Sequence, residues 1–163
     1  MSAAPDSRTS DRLLKVELDE RLVLRRSPEI EHERAVALRD LAAENCFALA
    51  AGPPGPYHLY IGIEENRLVL DVRDTGDRPL RRFIFSLRPF QRIVKDYFTI
   101  CESYYNAVKA ASPAQIEAID MGRRGLHNEG SELLRERLSG KIRLDLDTAR
   151  RLFTLVCVLH IRA

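Results

Sequence analysis

Ser112–Gly130, SPAQIEAIDMGRRGLHNEG, decides how the C-terminal half of this chain folds, because it reads either as part of one long helix or as two helices around a basic turn. Its start is plain. Ser112 followed by Gln115 makes an S-x-x-Q capping box, and Pro113 takes the first helical position, where its missing N–H costs nothing. If the helix runs on to about Leu138, then Ile116, Ile119, Leu126, Gly130, Leu133 and Leu134 form one apolar stripe. Asp120, Arg123 and His127 then fall within or beside that stripe as a polar row. The glycines would permit close helix packing, against a cost of ~1 kcal/mol each in a helix interior. If the helix stops at Gly122 instead, Gly122-Arg123-Arg124-Gly125 is a tight turn whose backbone N–H groups and guanidinium forks can hold phosphate or carboxylate. The residues leave both readings open.

Outward from this stretch the periods are clearer. Leu14, Val16 and Leu18 alternate with Lys15, Glu17 and Asp19, the mark of a half-buried strand. Ser27-Pro28 opens a helix to about Asn45, with Glu29, Glu31 and Glu33 near its positive end. GPPGP at 52–56 is a rigid loop. Three strand patterns follow: Tyr57, Leu59, Ile61, Ile63; Leu68, Leu70, Val72; and Phe83, Phe85, Leu87. The short turns between them, Glu65-Asn66 and DTGDRP, predict an antiparallel meander. An apolar stripe from Phe90 to Val108 predicts a helix over about Pro89–Ala110 that covers one face of that meander. Ile142, Leu144 and Leu146 alternate as a last strand, and a buried helix begins at Asp147 or Thr148. The expected architecture is one α+β domain over 13–163 behind a disordered tail at 1–12, mostly helical in its C-terminal half.

With 163 residues the chain can bury a core unaided, hiding roughly 70% of its unfolded surface. No apolar run approaches the ~20 residues that span a bilayer, and MSAAPDSRTSDR lacks the order of a secretory signal, so the expected location is cytoplasmic. Cys46, Cys101 and Cys157 are scattered and odd in number, which argues against a disulfide framework and for buried thiols. A net charge of +2 is too small for a general polyanion binder. One basic patch, Arg78, Arg81, Arg82, Arg88, Arg92 and Lys95, is interleaved with Phe83, Phe85 and Phe90. Its expected reading is core phenylalanines with solvated arginines, and its alternative an RNA or acidic partner.

G-x-S-x-G, G-x-x-x-x-G-K-[ST] and G-x-G-x-x-G are all absent, which removes the nucleophile-elbow, P-loop and dinucleotide readings. His127, Glu129 and His160 have the order of a two-histidine, one-carboxylate metal site, which makes a small metal-dependent enzyme the alternative function, although residues two apart on a helix do not share a face. Helix, GxxG, helix and the strand at Lys141-Ile142 resembles the order in KH domains, whose GxxG loop clamps a nucleic-acid backbone. The leading expectation is a non-enzymatic binding or regulatory domain. It would hold an anionic small molecule or an acidic protein surface through Gly122, Arg123, Arg124, Gly125 and His127, with no cofactor indicated and no catalytic residue assigned.

IEAIDMGRRGLHNEG, IVKDYFTICESYY, EHERAVALRDL and DTARRLFTLVCVLH together resemble an uncharacterised protein family of alphaproteobacteria, over about Leu13 to His160. That resemblance implies a small cytoplasmic protein and brings no activity, cofactor or catalytic residue with it.

Overall fold

The computed structural model describes residues 10–20 and 27–160. Residues 1–9, most of the expected tail, lie outside the described residues. At the other end of that tail, Asp11 and Arg12 accept backbone hydrogen bonds from Phe47 and Tyr57, both at 2.9 Å.

The elements run β1 (Leu13–Leu18), α1 (Pro28–Ala43), β2 (Phe47–Leu49), β3 (Tyr57–Glu64), β4 (Arg67–Arg73), β5 (Pro79–Ser86), a 3-10 turn, α2 (Gln91–Ala110), α3 (Pro113–Leu138), β6 (Ile142–Leu144) and α4 (Leu146–His160). The fold is α+β, as the periods predict. β3, β4 and β5 form the antiparallel meander, closed at its first turn by Glu65 and Asn66 in left-handed conformation (φ 50° and 61°). β1 adds to β3 in parallel, giving the order β1-β3-β4-β5, while β2 and β6 pair as a separate two-stranded ribbon. Three residues are too few to show a period, so β2 leaves no signal in the sequence.

β1 corrects one detail of the alternation. The register shifts between Leu13 and Lys15, so Leu13 is buried and Leu14 turns outward, 49% exposed, while Val16 and Leu18 still pack on the core. Asn45 fastens this strand: its side chain donates to the carbonyls of Leu13 (2.9 Å) and Leu41 (2.8 Å) and accepts from Leu13 N–H (2.7 Å).

The helix packed against β3 is α4, which corrects the expectation that α2 would cover the meander. The reason is in the side chains. α4 buries nine residues, including Leu152, Phe153, Val156 and Leu159, and so takes the middle of the molecule, with α1 and α3 on its flanks. α2 is amphipathic, turns Ile93, Val94, Tyr97 and Cys101 inward, leaves Val108 exposed, and packs chiefly on α3. α4 is capped by Asp145, whose carboxylate accepts from Thr148 N–H at 3.0 Å, a little earlier than Asp147 or Thr148. The remaining start signals are as read: Ser27 caps α1, and the Ser112–Gln115 box caps α3 with both reciprocal bonds made.

α3 is one unbroken helix through Gly122, Gly125 and Gly130. The basic turn and the KH-like GxxG loop are therefore absent. Gly130 lies where α3 meets α4: a Cβ there would come within 2.1–2.5 Å of the Phe153 ring. Cys101 and Cys157 are buried, but Cys46, in the loop between α1 and β2, is exposed, contrary to the expectation of three buried thiols. Phe83, Phe85 and Phe90 pack on or in the core, and from their basic patch Arg82 reaches Glu64 (3.4 Å) and Arg92 reaches Glu129 (3.5 Å). Among the described residues no helix is long and apolar enough to cross a membrane.

Candidate functional site

The polar row of α3 opens on a cleft of about 920 Å³ walled by all four helices. α1 contributes Glu33 and Asp40 with Val36 and Ala37 between them, a stripe at spacings of three and four that keeps one helical face toward the cleft. α2 contributes Tyr97 and Tyr105. From α3 come Arg123, Arg124, Gly125, His127 and Asn128, and from α4 Arg150, Arg151 and Thr154. Four of the five expected ligand-binding residues thus meet at one cavity. The fifth, Gly122, is turned toward α2, where a Cβ would lie 2.7 Å from Ile100.

The floor is a closed network. The Glu33 carboxylate accepts from the hydroxyls of Tyr105 (3.0 Å) and Tyr97 (3.3 Å), with Arg123 Nη1 at 3.8 Å. Burial first, and then the neighbouring Glu33 charge, push both phenols up and keep them protonated as donors. Arg123 is spoken for on every side. Its Nη2 and Nε donate to one oxygen of Asp120 (2.6 and 3.1 Å), and its guanidinium lies 4.6 Å over the Tyr104 ring. Such an arginine ties α3 to α1 and α2.

Arg124, Arg150 and Arg151 differ in being anchored without being saturated. Arg124 Nε reaches Asp120 at 3.2 Å while 63% of the side chain stays exposed. Arg150 donates from Nε to Asn128 (3.0 Å) and from Nη1 to Asp147 (3.1 Å), and Arg151 donates from Nη1 to the Glu44 carbonyl (2.7 Å). Each keeps N–H groups uncommitted at the mouth of the cleft, the arrangement by which a guanidinium is both oriented and available.

His127 sits between the rings of Tyr97 (5.3 Å) and Phe153 (5.4 Å). Burial, with Arg150 and Arg123 nearby, pushes its pKa down to about 4, so the imidazole is neutral. The Thr154 hydroxyl lies 2.8 Å from His127 Nε2 and 3.2 Å from the Arg150 carbonyl, so the imidazole is held in place from α4.

The metal alternative fails on geometry. His127 is directed at Thr154 and Glu129 pairs with Arg92 of α2, on another face of α3. His160 lies six residues past Thr154 on α4, roughly 9 Å along the axis. Among the described residues no three His, Cys, Asp or Glu side chains are grouped to hold a metal ion. Sequence reasoning missed Glu33, Asp40, Arg150 and Arg151 as site residues. Their charge pattern is that of ordinary helix surfaces, and only the packing of α1 on α4 brings them to the arginines of α3.

Fold and cleft define the class: a small α+β protein with a polar, four-helix cleft. The chain belongs to an uncharacterised protein family, UPF0262, whose profile matches residues 10–162. It is 60% identical over 153 residues to the UPF0262 protein of Rhodospirillum rubrum, covering 94% of each chain. It is 63% identical over 151 residues to that of Paramagnetospirillum magneticum (93% of this chain, 96% of the relative). With the UPF0262 protein of Xanthobacter autotrophicus it shares 57% identity over 162 residues, 98% of both chains. No solved structure matches it.

Proposed function

We propose that this chain is a cytoplasmic, non-enzymatic binding protein whose helix-lined cleft takes a small organic anion, carboxylate or phosphate. The observation that carries the reading is the trio Arg124, Arg150 and Arg151. Three guanidiniums from two helices converge on one cavity, each fixed by protein acceptors yet with N–H groups left over. Forks pre-oriented in this way lose little entropy when a planar anion adds its oxygens. Val36, Ala37 and the 61% exposed Met121 give the body of the molecule an apolar rest beside them. The anion is thus taken by guanidinium side chains on two continuous helices, and Arg123 belongs to the framework.

The test is titration of the full chain with citrate and with inorganic phosphate, followed by NMR amide shifts. Saturable shifts confined to the cleft-lining residues, 121–128 of α3 and 150–154 of α4, are expected. Arg124→Gln and Arg151→Gln should each weaken binding several-fold while melting with the wild type. Millimolar anions that move no cleft signal, or variants that bind like the wild type, refute the proposal.

A further inference from the structure

The arginine wall faces acceptors. On α1 Glu33 and Asp40 line the same cleft with carboxylates. Asp40 has only the loose approach of its neighbour Arg39 at 3.9 Å, with 42% of its side chain exposed, so its charge is available to a ligand. A plain anion placed here pairs with the arginines and leaves Asp40 without a cation, and a plain amine does the reverse. Only a molecule with both charges satisfies both walls.

Resting on the anion-binding reading above, we infer that the ligand is a zwitterion of the α-amino acid class, with its carboxylate on the arginines and its ammonium on Asp40. The apolar rest at Val36, Ala37 and Met121 then receives an aliphatic side chain.

The experiment compares L-leucine with N-acetyl-L-leucine, which keeps the carboxylate and loses the ammonium, and with 3-methylbutylamine, which does the reverse. All three are titrated into the full chain by NMR, with wild type and Asp40→Asn. The expected result is that L-leucine shifts the cleft signals of Arg124, Asp40 and His127 and that both one-charge analogues bind at least tenfold more weakly. Asp40→Asn should weaken L-leucine about tenfold and leave N-acetyl-L-leucine unchanged. N-acetyl-L-leucine binding as tightly as L-leucine, or an Asp40→Asn variant that binds L-leucine normally, overturns the zwitterion and leaves the anion site standing. Tight binding of 3-methylbutylamine, or no response to any carboxylate or phosphate, overturns both.

Discussion

The three glycines of α3 give opposite expectations under one substitution, and together they test whether the helix is continuous. Gly125→Ala adds a methyl group with nothing within 4 Å. In a helix interior that change is worth about 1 kcal/mol from backbone entropy alone. For a domain of this size 1 kcal/mol moves the midpoint by roughly 2–4 °C, so a rise of about 3 °C is expected. At Gly122 the added Cβ would lie 2.7 Å from Ile100 Cδ1, the far end of a flexible side chain that can rotate away. The propensity gain and the repacking cost then nearly cancel. Gly130→Ala is different in kind, since its Cβ would fall 2.1–2.5 Å from three atoms of the Phe153 ring, and that ring is held edge-on by Tyr97 and His127. Overpacking costs ~1–3 kcal/mol, and a wedged, fully buried ring belongs at the top of that range. Set against the helix gain, the net loss is about 2 kcal/mol and the midpoint falls by about 6 °C. Circular dichroism melts, with urea titrations for the free energies, read all three. If Gly125→Ala destabilises as Gly130→Ala does, then Gly125 holds a backbone conformation closed to alanine, and the unbroken helix is refuted.

Four further outcomes follow from the same contacts. Asn45→Ala removes three hydrogen bonds that tie β1 to α1 and should cost about 2–3 kcal/mol in urea unfolding, at roughly 1 kcal/mol each. Arg123→Ala opens the Glu33 network and loses the stack on Tyr104, so it should lower stability by about 2 kcal/mol, whereas Arg124→Ala should stay within about 0.5 kcal/mol of wild type; equal melting of the two contradicts the division between framework and ligand arginines. Ser112→Ala removes the reciprocal cap of α3 at a cost of about 1 kcal/mol, measurable by the same melts. His127 titrates near 4 in the native state against 6.5 as a free side chain, so the unfolded chain takes up the proton first as pH falls. The stability it supports is whole above about pH 7 and declines toward pH 4, reaching a loss of about 2 kcal/mol by pH 5. His127→Gln should remove that part of the slope between pH 7 and 5, and an unchanged slope in the variant refutes the neutral, buried imidazole.

The elements that were legible in the sequence are those whose physics is local. A proline after a serine fixes the starts of α1 and α3, and alternation over four or more residues marks β3 and β4, because each signal is complete within one turn or one strand. β1 shows the limit. Its alternation was visible, but a bulge inserts Leu14 on the outer side, and a bulge is a property of the pairing with β3. The parallel placement of β1 beside β3 and the central position of α4 are likewise decided by which apolar faces fit together.

The same distinction explains why half of the candidate site could be read and half could not. Arg123, Arg124 and His127 stand out in a helix because polar residues beside an apolar stripe demand an explanation, and the stripe is local. Glu33 and Asp40 stand on a helix whose apolar face is weak, with only Ala37 and Leu41 buried, and look like solvated acids. They become a wall only because Gly130 lets α3 approach Phe153 while α1 packs on the other flank of α4, setting the carboxylates of one helix opposite the guanidiniums of two others. The residue that shapes the cleft is therefore one that never touches its contents. A larger side chain at 130 would push α3 away from α4 and separate His127 from Thr154, so loss of the His127–Thr154 bond in Gly130→Ala should track loss of ligand binding. Full binding in a variant that has lost that bond would show the two walls to be independent of the helix contact that holds them.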